Sequence, residues 1–282
     1  MLSNNPFAAA LFGLLSAASW GTGDFAGGLA TKKSSPYFVV LLSQFVGVIL
    51  LLALVWFMGE PSPHPTDLIW GATGGLAGMV GLIALYQGLA RGRMAVVAPL
   101  AAIVTTIPPL LVSFWVEGWP GLRPLLGFGL ALLAVWLISR SQADGGIARQ
   151  DFALAGVAGV GFGLFYVLLD QVSTGAVLWP LVGARLASMS VVGVIVLITR
   201  PRPRPTLRQF PIILVSGLGD TGGNAFFLLA AQAGRLDVAA ILSSLYPATT
   251  VLLAWLVLKE RLQGGQWWGV AAALLAIVLI TA

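Results

Sequence analysis

Apolar positions in this chain neither alternate nor keep to one helical face. They run on in blocks of about twenty, separated by short intervals holding most of the charges. A block of that length matches an α-helix crossing a hydrocarbon core of about 30 Å. Ten blocks are read, at about 7–28, 36–58, 68–90, 94–116, 121–139, 152–171, 178–199, 210–231, 236–258 and 264–281. Helices that are apolar all round need an apolar solvent, and in lipid a helix satisfies its own backbone polar groups. The pattern predicts an all-α integral membrane protein of ten transmembrane helices, with no room for a soluble domain. Residues 1–18 lack a basic start and the first block runs past leader length, so that block is predicted to stay as a span.

Composition agrees and removes alternatives. Of 282 residues, 58% are hydrophobic and 9% charged, against about 25% charged in soluble domains; the mean hydropathy is +0.95. Cysteine is absent and the single histidine, His64, sits in a proline-rich interval. Disulfide, thiolate and thiol-bound metal chemistry are therefore excluded. The sequence holds no Ser/His/Asp set, metal cluster or P-loop lysine. It predicts no enzyme, no cofactor, no metal site and no ATP-driven pump. The net charge of +5 is not a nucleic-acid signal, because the cations flank the spans rather than forming one basic face.

The longest polar stretch near the midpoint, residues 141–151, divides the blocks into five and five, giving a first repeat over 1–140 and a second over 152–282. Offsetting the chain by about 142 residues lays Gly92-Arg93 on Gly234-Arg235, Gly127 on Gly269, and Ala131-Leu132-Leu133-Ala134 on Ala273-Leu274-Leu275-Ala276. Five is odd, so a repeated unit must cross the membrane in the opposite sense, and its loop cations should move to the other position. Lys32-Lys33 follow the first block while the interval after the sixth has no Lys or Arg; Arg200, Arg202, Arg204 and Arg208 follow the seventh while the interval after the second has none. This predicts two inverted five-helix repeats, with binding near the midplane where they meet. Twelve of the fifteen Lys and Arg follow odd-numbered blocks, and only Arg123 and Arg235 follow even ones. By the positive-inside rule both termini lie outside.

Four charges are read as lying within the membrane: Asp24, Asp170, Arg185 and Asp220. Each costs about 2.5–3.5 kcal/mol at a helix centre facing lipid, so they are expected to face a partner or a wet cavity. Ser19-Trp20-Gly21-Thr22-Gly23-Asp24-Phe25-Ala26-Gly27-Gly28 resembles a phosphate-cradling turn, but that turn needs a preceding strand and here helix stands on both sides. Its glycines, like Gly71/Gly75, Gly159/Gly163 and Gly219/Gly223, read as close-packing pairs, with Asp24 set against a hydrated seam. Asp170 stands one turn after Tyr166, as Asp24 does after Trp20. Arg185 lies near the position matching Gln44 and is read either as pairing with Asp170 or as a fork for an anionic substrate. Asp220 and Asn224, one turn apart, are read as a proton or cation site with a substrate contact, or as interhelical glue. Trp20, Tyr86, Gln87 and Tyr166 are candidate cavity liners. Pro99, Pro108 and Pro109 are expected to interrupt span 4, and Pro247 span 9, as gates. Trp119, Trp179, Trp267 and Trp268 fit interfacial belts.

Trp20-Gly21, the run Ala239-Ala240-Ile241-Leu242-Ser243-Ser244-Leu245-Tyr246-Pro247, then Leu258-Lys259-Glu260-Arg261-Leu262 and Gly269 resemble the EamA-type transporters of the drug/metabolite transporter superfamily. The resemblance covers essentially the whole chain. It implies a secondary carrier of the cell membrane exporting amino acids or other small polar or amphipathic metabolites by alternating access, monomeric or dimeric, with protons as an optional partner. It also implies a cavity between the halves lined by the first four spans of each. The family's glutamate after the fourth span maps onto Glu260, while Glu117 falls one position early. Cytoplasmic termini, as often drawn for the family, oppose the charge count. A passive facilitator or channel is the alternative reading.

Overall fold

Helices start where proline or a polar cap allows. Pro6, Pro36 and Pro65 occupy first positions of α1 (Pro6–Thr31), α2 (Pro36–Met58) and α3 (Pro65–Ala90), where the missing N–H would have no partner in any case. The computed structural model describes residues 5–91, 94–140, 149–258 and 264–281. The chain continues through α4 (Met94–Val116), α5 (Leu122–Arg140), α6 (Arg149–Leu169), α7 (Leu178–Thr199), α8 (Phe210–Ala233), α9 (Leu236–Ser243), α10 (Tyr246–Leu258) and α11 (Gly264–Thr281). No strand occurs among the described residues, which removes the setting a dinucleotide loop requires. Among the described residues, six segments are long and apolar enough to cross a membrane: α2, α3, α6, α7, α8 with the turn before it, and α9–α10 together. The polar and glycine-rich stretch through Asp24 dilutes α1, which is not among the six. Arg93, Glu260 and the connection 141–148 lie outside the described residues.

The outer surface is apolar. Trp115 is 92% exposed, Phe57 83% and Leu197 74%, as lipid-facing positions should be. Trp119, Trp267 and Trp268 are exposed close to helix ends, while Trp179 is half-buried and donates its indole N–H to the Glu60 carbonyl at 3.4 Å.

Most helix packing joins residues before 141 to residues after 148. The pair α1–α8 corresponds to α6–α3, α3–α7 to α8–α2, and α4–α6 to α1 against α9 and α10; α2–α7 and α5–α11 correspond to themselves. The main partners joining the two halves are unchanged when the halves are exchanged. The core therefore sits between the halves.

Two expectations about prolines come out differently. Helix α4 runs unbroken through Pro99, Pro108 and Pro109, contrary to the predicted interruption. Pro109 removes the N–H that would bond the Thr105 carbonyl. There α6 presents Gly163, where a Cβ would stand 2.6 Å from the Pro108 ring and 2.8 Å from that carbonyl. A close-packed neighbour covers the freed group, and the helix survives. The ninth block does break, at Ser244-Leu245, and Pro247 falls in the first turn of α10.

At one end of the bundle, polar bonds tie four loops together. Glu60 accepts from the backbone N–H groups of Val177, Leu178 and Trp179, at 2.9 to 3.2 Å, placing a carboxylate on the α7 N-terminus. Asp67 accepts from the Ser173 N–H at 2.9 Å, and Gln232 accepts from Gly175 at 3.0 Å. Arg235 pairs with Asp237 at 2.7 Å and with Glu117 at 3.7 Å, and donates to the Gly118 carbonyl at 2.8 Å.

Asp170 belongs to this end, as the first residue after α6 and not within a span as expected. Burial, then the negative charge of Glu117, raises its carboxyl from 3.8 to about 6. A folded-state value above the unfolded one means that stability is fullest below pH 4 and falls as pH rises through 6. Asp170→Asn is expected to be more stable than the parent above pH 6, by up to about 2–3 kcal/mol, and so to melt higher there, with the gap closing below pH 4. Melting curves across pH 3.5–8 check this, and a constant gap would contradict it.

Candidate substrate cavity

Where α1, α2, α3, α6, α7, α8 and α10 meet, their residues line a cavity. Helix α1 supplies Trp20 and Asp24, α2 Gln44, α6 Tyr166, α7 Arg185 and Ser188, and α8 Asp220 and Asn224. Met79, Leu82, Phe162 and Phe165 complete an apolar wall, and Tyr246 stands at the start of α10.

The acids come together because α1 and α8 cross at glycine. A Cβ at Gly23 would lie 2.8 Å from the Asp220 N, and one at Gly219 would lie 2.6 Å from the Gly23 N. Only backbone-to-backbone contact at that point lets Asp24 and Asp220, the residues next to those glycines, share one cavity.

Arg185, 3% exposed, donates from Nη1 to Gln44 Oε1 and forms an ion pair with Asp220 Oδ2. Gly47 leaves the space for it, since a Cβ there would stand 3.1 Å from Arg185 Nε. Nε and Nη2 of Arg185, and the Thr221 hydroxyl, are buried without a hydrogen-bond partner among the described residues. Asn224 Oδ1 accepts from the Trp20 indole N–H at 2.8 Å. The indole stacks on the Tyr166 ring at 5.5 Å and 13°, and Tyr166 stacks on Phe227 at 4.1 Å. Asp24 is half-buried and accepts no hydrogen bond from any described residue.

Seven residues singled out from sequence meet here: Trp20, Asp24, Gln44, Tyr166, Arg185, Asp220 and Asn224. The predicted Arg185–Asp170 pair is not formed. Arg185 binds Asp220 instead, because Asp170 lies past the end of α6 beside Glu117. Gln87 is also away from the cavity, donating to the Tyr37 hydroxyl at 3.1 Å, and Tyr86 is buried against Ser216 at 2.9 Å. Sequence reasoning missed Phe162, Phe165, Met79, Leu82 and Ser188. Only Ser188 carried a signal, three residues after Arg185 and so on the same helical face.

The EamA-like transporter family model matches residues 7–140 and again residues 152–282. The chain belongs to the EamA-like transporter family. An uncharacterized transporter of Synechocystis sp. is 26% identical, over 93% of this chain and 86% of its own. An uncharacterized protein of Methanocaldococcus jannaschii is 26% identical over 48% of this chain and 98% of its own, so its whole length matches about half of this one. One solved crystal structure superposes with a TM-score of 0.79 at 18% identity, covering 97% of this chain and 96% of the other; at that identity the likeness speaks for the fold alone. A family of transporters, with the apolar helices described above, makes this a multi-pass membrane protein. The cavity thus gathers one guanidinium, two carboxylates and stacked aromatic rings in one place.

Proposed function

We propose that the protein is a secondary carrier of the cell membrane that moves a small organic metabolite, an amino acid or related polar or amphipathic solute, by alternating access. In this reading ten helices form two inverted five-helix repeats, 1–140 and 152–282, and the cavity is the midplane site between them. The observation that carries it is the cavity contributed by both halves, lined by Asp24 and Asp220. The exchange-symmetric packing supports the repeats. The polar ties at one end support an arrangement closed on that face. Export is the expected direction, and proton linkage would run through the cavity carboxylates.

The test is counterflow in proteoliposomes, using labelled amino acids and amines with and without a pH gradient. A carrier accelerates labelled uptake when unlabelled solute is loaded on the opposite side, whereas a passive facilitator or channel shows no such trans-stimulation. Flux that follows the pH gradient and loses that dependence in Asp24→Asn or Asp220→Asn would support proton linkage. Absence of trans-stimulation for any solute that permeates would overturn the carrier reading.

A further inference from the structure

Building on the carrier reading, we infer that the cavity is selective for an organic monocation, an amine with an aromatic or alkyl body, and that the Asp24 carboxylate holds its ammonium group. The inference starts from which cavity charges remain free. Arg185 and Asp220 neutralise one another, and the same Nη1 also serves Gln44. The two unpartnered nitrogens of Arg185 are packed against protein and leave almost no surface open to the cavity. An anion entering the cavity meets no available cation. Asp24 lines the same cavity and is the one charge there without a partner among the described residues. What the site lacks is a positive charge.

The walls point the same way. Trp20 precedes Asp24 by one helical turn and stacks on Tyr166, and Phe162 and Phe165 complete an aromatic side. Aromatic faces attract ammonium groups, most strongly when both are desolvated. A carboxylate beside such faces offers a cation one ionic and several cation–π contacts. A zwitterionic amino acid is served less well. Its ammonium has the same partners, but its carboxylate would be brought near Asp24 and Asp220 with the arginine edge sealed. Within the broad solute class proposed above, the geometry therefore favours the amine over the amino acid and the amino acid over the simple acid.

Three solutes of one shape separate these cases: phenethylamine, phenylalanine and phenylpropionate, which differ in whether they carry an ammonium, both charges or a carboxylate. Each is titrated calorimetrically into the purified full chain in detergent near pH 7.5. Phenethylamine is expected to bind at least about tenfold more tightly than either of the others. Asp24→Asn should weaken it by on the order of tenfold to a hundredfold, the range for losing a charged hydrogen-bond partner. Asp24→Glu should retain most of the affinity, and melting temperatures of both variants show whether the fold is intact. The inference is overturned if phenylalanine or phenylpropionate binds as tightly as phenethylamine, if a well-folded Asp24→Asn variant keeps full amine affinity, or if the parent protein binds no amine. Counterflow separates this outcome from that of the carrier reading. Phenylalanine exchange without preference for the amine leaves a carrier and removes the selectivity. Amine binding without any exchange does the reverse.

Discussion

Replacing Arg185 with methionine is expected to lower stability by about 3–5 kcal/mol, the usual cost of stripping one partner from a buried ion pair. At the scale of this chain that corresponds to a melting temperature lower by on the order of 10 °C. The substitution keeps the volume of the aliphatic stem but leaves Asp220 as a second uncompensated carboxylate beside Asp24, and takes the donor from Gln44. Most of the penalty belongs to the stranded acid, not to a lost attraction. Combining Arg185→Met with Asp220→Asn should therefore recover a substantial part of the loss, because the amide carries no charge to desolvate. Melting of the parent, both single variants and the double variant forms a closed cycle. A double variant that melts as low as the sum of the two single effects would show that these side chains are not coupled, and the account of the cavity's charge would fail with it.

The sequence carried the helices well because lipid asks only for length and apolarity, and both are written in linear order. It carried the cavity's polar members for a related reason. Trp20, Asp24, Gln44, Arg185, Asp220 and Asn224 each interrupt an apolar block, and a polar group in such a block needs an explanation. Asp170 was misplaced because the apolar run continues up to Leu169, and a run cannot reveal that its last turn has already reached the end of the helix. The partner of Arg185 was misassigned because α6 and α8 both adjoin α7 in the chain, so adjacency alone could not choose between Asp170 and Asp220. Phe162 and Phe165 could not be told from lipid-facing phenylalanines, since apolar positions look alike in a membrane helix. The three prolines of α4 and the one in α10 carry the same local signal. What separates them is a neighbour: α6 has Gly163 where the freed carbonyl needs cover, and no property of α4's own sequence encodes that.

Gly219→Ala is the second large effect, and it sets two magnitudes against each other. Within a helix, alanine is favoured over glycine by about 1 kcal/mol. At Gly219, however, the new methyl would stand 2.6 Å from the Gly23 N, 2.7 Å from the Ser19 carbonyl oxygen and 2.8 Å from the Gly23 Cα. All three are backbone atoms, and none can rotate away. Overpacking of this kind costs about 1–3 kcal/mol, and more where rigid elements must separate. The clash should win, with α1 and α8 pushed apart at the crossing that sets Asp24 and Asp220 in one cavity. The expected result is a lower melting temperature together with loss of whatever solute binding the parent protein shows. Gly222→Ala, one turn further along α8, is the matched control. Its methyl would meet the Ser19 hydroxyl at 3.5 Å, an ordinary contact, so the propensity gain should stand and the variant should melt no lower than the parent. Equal behaviour of the two variants would mean that the helices do not approach as closely as Gly23 and Gly219 allow, and that something other than this crossing brings the acids together.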